Sequence, residues 1–151
     1  MKKGLRNLKM NKIIMAFIVL VASCTPAAAF GLTIETREYR DRVCYDGDTC
    51  YILIPGLPKK LEKMSIRILG IDTPEIRGEC AKEKELALEA RAFANKVFRQ
   101  AKDIKYKNLA WGKYGGRLLS DVYLDGKLYA DMIIKEGLAR PYDGKTKKGW
   151  C

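Results

Sequence analysis

The chain of 151 residues carries 29 Lys and Arg against 18 Asp and Glu, five cysteines and no histidine. A length in this range makes one compact domain, and 48% hydrophobic content excludes a disordered chain. Without imidazole, chemistry must come from carboxylates, Arg, Lys, Tyr, Cys or a metal held by oxygen, and the net charge of +11 points to a polyanionic partner.

The first segment is read as an address rather than a fold. Lys2, Lys3, Arg6, Lys9 and Lys12 precede the apolar run Ile13 to Ala22, and Pro26-Ala27-Ala28-Ala29 follows. A basic start, a short apolar stretch and an A-x-A end predict an export signal over 1–29, cleaved before Phe30, leaving residues 30–151 as one domain. The run is short of the roughly 20 residues that a membrane span needs. Val21-Ala22-Ser23-Cys24 offers a second reading, a lipoprotein signal over 1–23 with a lipidated Cys24, the one case in which a membrane partner is expected. Either product would be secreted, periplasmic or envelope-anchored. Residues 30–151 hold 24 basic and 18 acidic residues, so the mature charge is +6 and only mildly favours polyanions.

From Leu32 to Tyr45 the pattern predicts an interrupted strand, followed by the turn Asp46-Gly47-Asp48-Thr49, since Asp-Gly between apolar flanks is a hairpin signal. Strands are predicted over Cys50–Ile54 and Met64–Ile71, separated by a turn at Pro55-Gly56-Leu57-Pro58. Leu86, Ala90, Phe93, Val97 and Ala101 recur at helical spacing and predict a helix over Glu83–Ala101. Strands over Ile104–Leu109 and Arg117–Leu124, the turn Asp125-Gly126, and a short helix over Ala130–Glu136 ending at Gly137 complete the walk. Five strands around two helices suit an α+β, mainly β domain, a five-stranded OB-fold barrel. Four cysteines in an exported domain predict two disulfides. Of the three pairings, Cys44–Cys50 with Cys80–Cys151 is favoured. The first pair is symmetric about Gly47, and the second would tie Cys151 back to the body.

Three places hold polar residues that a solvated surface does not explain. They are Asp46-Gly47-Asp48-Thr49, the segment Arg67 to Asp72-Thr73-Pro74-Glu75, and Lys113-Tyr114-Gly115-Gly116-Arg117. Each alone reads equally well as a turn or a strand rim. Together they supply oxygen donors of the kind hard cations select, Asp48, Asp72 and the Thr73 carbonyl. They also supply two planar guanidinium forks for phosphate, Arg67 and Arg117. Glu75 completes the set as a carboxylate able to act on water, which is what phosphodiester hydrolysis requires when histidine is absent.

With Gly137-Leu138-Ala139, these stretches in this order resemble the staphylococcal-nuclease-like (thermonuclease) family, over Val43 to Tyr142. The resemblance implies an OB-fold and Ca²⁺-dependent endonucleolytic cleavage of DNA and RNA with little sequence preference, leaving 5′-hydroxyl and 3′-phosphate ends. It makes Asp48, Asp72 and Thr73 ligands of one Ca²⁺, Asp46 an outer-shell carboxylate, Glu75 the general base, and Arg67 and Arg117 the phosphate clamp. Lys113 and Tyr114 correspond to residues that hold a terminal phosphate. The glycine turn here, Tyr-Gly-Gly-Arg, is one residue longer than the familiar Tyr-Gly-Arg. A monomer without an obligate protein partner is expected. The rival reading is a non-catalytic OB-fold that only binds oligonucleotides.

Overall fold

The computed structural model describes residues 33–113 and 115–151. The predicted export signal, both expected cleavage sites, Cys24 and Tyr114 therefore lie outside the described residues.

The chain forms β1 (Glu35–Thr36), β2 (Thr49–Leu53), α1 (Lys59–Glu62), β3 (Lys63–Ile68), β4 (Ile71–Asp72), α2 (Ala81–Gln100), β5 (Ile104–Trp111), β6 (Arg117–Leu124), β7 (Lys127–Leu128), α3 (Tyr129–Lys135) and β8 (Arg140–Pro141). The main sheet runs β1-β2-β3-β6-β5, with β7 hung on β6, and β4 and β8 make a separate two-stranded sheet. This curled mixed sheet with helices packed on it is the expected α+β OB-fold. Two counts change among the described residues: eight strands are present rather than five, four of them only two residues long, and three helices rather than two, because the turn at Pro58 continues into the single-turn α1.

Alternation explains the sheet. On β6, Leu118, Ser120, Val122 and Leu124 face inward while their neighbours do not, and Met64, Ile66 and Ile68 do the same on β3. Side chains two apart on a strand share a face, so these rows meet the rest of the core on one side of the sheet. Ser120 is the polar exception, and its hydroxyl donates to the Lys107 carbonyl at 2.7 Å, as a buried hydroxyl requires. On α2 the buried stripe is Ala87, Ala90, Ala94 and Phe98, which widens the predicted face of Leu86, Ala90, Phe93, Val97 and Ala101. Small Ala90 lets the helix lie against the turn at Gly47, and the larger Phe93 and Val97 pack partly buried against the core.

Three predicted strand boundaries move for backbone reasons. The segment before Tyr45 yields only Glu35–Thr36, since Arg40 and Asp41 take positive φ (52° and 59°) and break the extended run. The predicted strand Met64–Ile71 is cut into β3 and β4 at Gly70, whose φ of 78° favours glycine. β5 runs on to Trp111 through a bulge around Asn108, also at positive φ. The break between β3 and β4 positions the candidate site, because it redirects the chain so that Asp72 leaves the main sheet.

Candidate nuclease site

Asp48 ends the turn that enters β2, and Thr49 stands opposite Arg67 in the β2–β3 ladder. That register brings the Arg67 guanidinium onto Asp48, with Nη1 donating to Oδ1 at 2.8 Å. The turn is tied from within: Asp46 Oδ1 accepts from the backbone N–H of Asp48 at 3.1 Å and of Thr49 at 2.7 Å. A Cβ on Gly47 would fall 2.8 Å from Thr73 Cγ2 and 3.0 Å from Ala90 Cβ, so this turn backs directly onto the Asp72-Thr73 segment and α2. The Cys44–Cys50 disulfide brackets it, and Tyr129, buried at the start of α3, donates its hydroxyl to the Gly47 carbonyl at 2.7 Å.

Asp72 and Thr73 are buried. Asp72 pairs with Arg140 across β4–β8, and beyond Pro74 the chain turns outward so that Glu75 is half exposed. Glu83, in the first turn of α2, steadies this loop: its Oε1 accepts from Glu75 N at 3.2 Å and its Oε2 from Glu79 N at 2.8 Å. The Lys147 ammonium bridges the two carboxylates, 2.7 Å from Asp72 Oδ1 and 3.0 Å from Glu75 Oε1.

Arg117 opens β6 opposite Ser65 of β3 in parallel register. Arg67 and Arg117 both line a cleft of about 750 Å³ together with Lys113, Gly115, Gly116 and Tyr142. The bend at Gly70 puts Ile71 on the wall of the same cleft, Asp72, Thr73 and Glu75 line an adjacent hollow, and the contact of Arg67 with Asp48 links the arginine side to the carboxylates.

Burial shapes the electrostatics. It pushes the Asp46 carboxyl up to about 7, with the Asp48 and Glu75 charges adding and backbone N–H groups from Asp48 and Thr49 opposing. Burial raises Asp48 as well, against the pull of Arg67 and of the Thr49 and Thr73 hydroxyls. Carboxylates that raise one another in a desolvated pocket lack positive charge, and a bound cation would supply it. Among the described residues, no three His, Cys, Asp or Glu side chains converge as a ready-made cage. A cation here would therefore rest on two carboxylates, a backbone oxygen and water, an all-oxygen set that suits Ca²⁺. Asp48 Oδ2 supports the fit, being buried with no hydrogen-bond partner.

The predicted residues are thus placed as follows. Asp46, Asp48, Arg67, Asp72, Thr73 and Glu75 share one region, Arg117 and Lys113 lie on the adjoining cleft, and Tyr114 is outside the described residues. Cys80 is bonded to Cys151. Sequence reasoning missed Lys147, Trp150, Arg140, Glu83 and Asn95. The last has a legible trace, an amide on the apolar face of α2. Its Oδ1 accepts from Val43 N at 2.6 Å and Cys44 N at 3.1 Å, and its Nδ2 donates to the Cys44 carbonyl at 3.0 Å, fastening the segment before the Asp46–Thr49 turn to the helix.

Residues 65–149 match the family model described as staphylococcal nuclease homologue. The chain is 33% identical over 107 residues to "Endonuclease YncB" of Bacillus subtilis (strain 168), covering 68% of this chain and 48% of that protein. It is 27% identical over 130 residues to "Thermonuclease" of Staphylococcus hyicus, covering 85% of this chain and 73% of that protein. The chain thus spans about half the length of the Bacillus relative.

Proposed function

Because the chain belongs to the staphylococcal nuclease homologue family, we propose that it is an exported, Ca²⁺-dependent endonuclease that hydrolyses DNA and RNA with little sequence preference. The observation that carries this reading is the contact of Arg67, which shares its cleft with Arg117, with buried Asp48, beside the hollow lined by Asp72, Thr73 and outward-facing Glu75. The two relatives named above are an endonuclease and a thermonuclease, which supports the same reaction class.

The backbone of the substrate lies in the cleft, where the guanidinium forks of Arg67 and Arg117 grip the non-bridging oxygens of one phosphate. Glu75 is the general base: its carboxylate takes a proton from water as the water oxygen bonds to phosphorus. The bond from phosphorus to the 5′ oxygen breaks and that oxygen takes a proton from solvent water, leaving 5′-hydroxyl and 3′-phosphate ends. Held by Asp48, Asp72 and the Thr73 carbonyl, Ca²⁺ would supply Lewis-acid stabilisation of charge on the phosphoryl oxygens. Arg67 and Arg117 stabilise the same charge, and the buried wall of Ile68 and Ile71 keeps their fields strong by excluding water. Asp46 holds the turn that presents Asp48.

The test is digestion of single-stranded DNA and of RNA by the mature protein, with Ca²⁺ or with chelator, beside Glu75→Gln. Cleavage with Ca²⁺ that chelator abolishes is the expected result. Intact nucleic acid in the Ca²⁺ sample overturns the reading in favour of an oligonucleotide-binding OB-fold. Mass spectrometry of the mature N-terminus checks export, with Phe30 expected first and a lipidated Cys24 as the contrary result.

A further inference from the structure

The segment from Lys145 to Cys151 lies against the carboxylate end of the site, and its most buried residue is Trp150, 7% exposed. The indole Nε1–H donates to Asp72 Oδ2 at 3.2 Å. The ring is gripped from three directions. Arg140 lies over it, its guanidinium carbon 3.8 Å from the ring centroid. The same Arg140 donates from Nη1 to the Gly149 carbonyl at 2.9 Å. The neighbouring Cys151 is bonded to Cys80, the residue that caps the N-terminus of α2. Arg140 itself is fixed opposite Asp72 in the β4–β8 ladder, so one pair of strands carries both the carboxylate and the clamp on its hydrogen-bond donor.

An indole offers one donor and no acceptor. Placed on Oδ2, it sorts the two oxygens of Asp72: one is committed to Trp150 and the other, Oδ1, is left for a cation. The structure shows the second half of that division, because the Lys147 ammonium sits 2.7 Å from Oδ1. A carboxylate turned in this way needs no reorganisation when a cation arrives. Hydrogen bonds of this kind behind a ligand typically change metal affinity about 10–100-fold when removed.

We propose that Trp150 is a positioning residue of the cation site, its indole N–H fixing the Asp72 carboxylate so that Oδ1 faces the cation, with the Cys80–Cys151 disulfide holding the indole in place. The proposal rests on Asp72 being a cation ligand, as in the preceding section. It adds a donor from the segment near Cys151 that no catalytic motif contains.

The test is calorimetric titration of the disulfide-intact mature protein with Ca²⁺, comparing wild type with Trp150→Phe, which keeps a ring under Arg140 and removes the donor. The expected result is about 10–100-fold weaker Ca²⁺ binding, with the melting temperature in chelator nearly unchanged. Digestion by the variant then recovers at raised Ca²⁺ concentration. Binding within two-fold of wild type by the folded variant overturns the proposal and leaves the nuclease reading standing. No Ca²⁺ uptake by wild type overturns both. A second measurement does not depend on that variant folding. Trp111 is 62% exposed, so Trp111→Phe makes Trp150 the single indole of the chain. Its fluorescence is expected to change during a Ca²⁺ titration and to saturate at the calorimetric concentration. An emission that stays constant while Ca²⁺ binds overturns the proposal.

Discussion

The two buried aspartates of the site are held by different means. Asp48 belongs to the sheet: its turn is closed by Asp46, its carboxylate is paired with Arg67 in the adjacent strand, and its backbone carbonyl accepts from Ile68 N at 2.8 Å. Asp72 has left the main sheet, and its side-chain partners, Lys147 and Trp150, come from more than 70 residues downstream. The first aspartate is positioned by ladder register, which every neighbouring pair of the strand reinforces. The second depends on a short segment clamped by Arg140 and a disulfide. The site therefore joins a half that fails only when the domain unfolds to a half that can be loosened alone.

The largest expected effects fall on groups that meet the reacting phosphate. Arg67→Ala, Arg117→Ala and Glu75→Gln are each expected to lower turnover about 10²–10⁴-fold, measured as initial rates at saturating Ca²⁺. A loss under ten-fold for Arg117→Ala would separate the sheet side from the chemistry. Breaking the tether comes next. Cys151→Ser opens a bridge between residues 71 apart and is expected to cost about 2–5 kcal/mol of stability by denaturant titration. In the molecules that remain folded, Ca²⁺ binding should weaken while oligonucleotide binding in the arginine cleft persists. Equal melting and Ca²⁺ affinity in Cys151→Ser and wild type would show that the two halves do not differ in this way.

Asp46 provides a test by pH on the sheet side. Its carboxyl titrates near 7 when folded against an ordinary value of 3.8, so the native state binds the proton more tightly. In chelator, its share of stability is present below about pH 4 and is lost as pH rises towards 7. Asp46→Asn keeps an oxygen for the two N–H groups and removes the titration. It is expected to be the more stable protein at pH 7 by a few kcal/mol at most and equal near pH 4, read from denaturation midpoints. A wild-type curve that climbs between pH 4 and 7 relative to Asp46→Asn would contradict the desolvated setting of this carboxyl. The smallest effect belongs to the strap. Lys147 occupies the oxygen that a cation would take but is 41% exposed, so its ion pairs are screened. Lys147→Ala is expected to tighten Ca²⁺ only about two- to five-fold, opposite in sign to Trp150→Phe. Weaker Ca²⁺ binding in Lys147→Ala would mean that the ammonium supports the site rather than competing for it.

Much of this arrangement is legible in the residues themselves. The Asp-Gly turn, the alternation of Leu118 to Leu124 and the helical spacing over Glu83 to Ala101 are local signals. A single row of side chains sets each of them, and each element appears with its ends shifted by only a few residues. The aspartates, Glu75 and the two arginines were visible because ionisable groups at strand exits are conspicuous against apolar flanks. The predicted face of α2 packs on the core through Ala90, Phe93, Val97 and Ala101, and the structure widens it to Ala87, Ala94 and Phe98, whose small alanines weigh little in a pattern.

What the sequence by itself determined is the menu: an OB-fold, an oxygen-donor site with two guanidinium forks, and a chemistry that does without histidine. Tertiary structure alone decided who stands behind those groups. Lys147, Arg140 and Trp150 read as an ordinary basic segment with a terminal aromatic, because their meaning depends on a chain reversal at Gly70 and a crossing from β8 that no local pattern encodes. Side-chain type follows from the residue; the partner of a buried carboxylate follows from which distant strand the fold lays beside it.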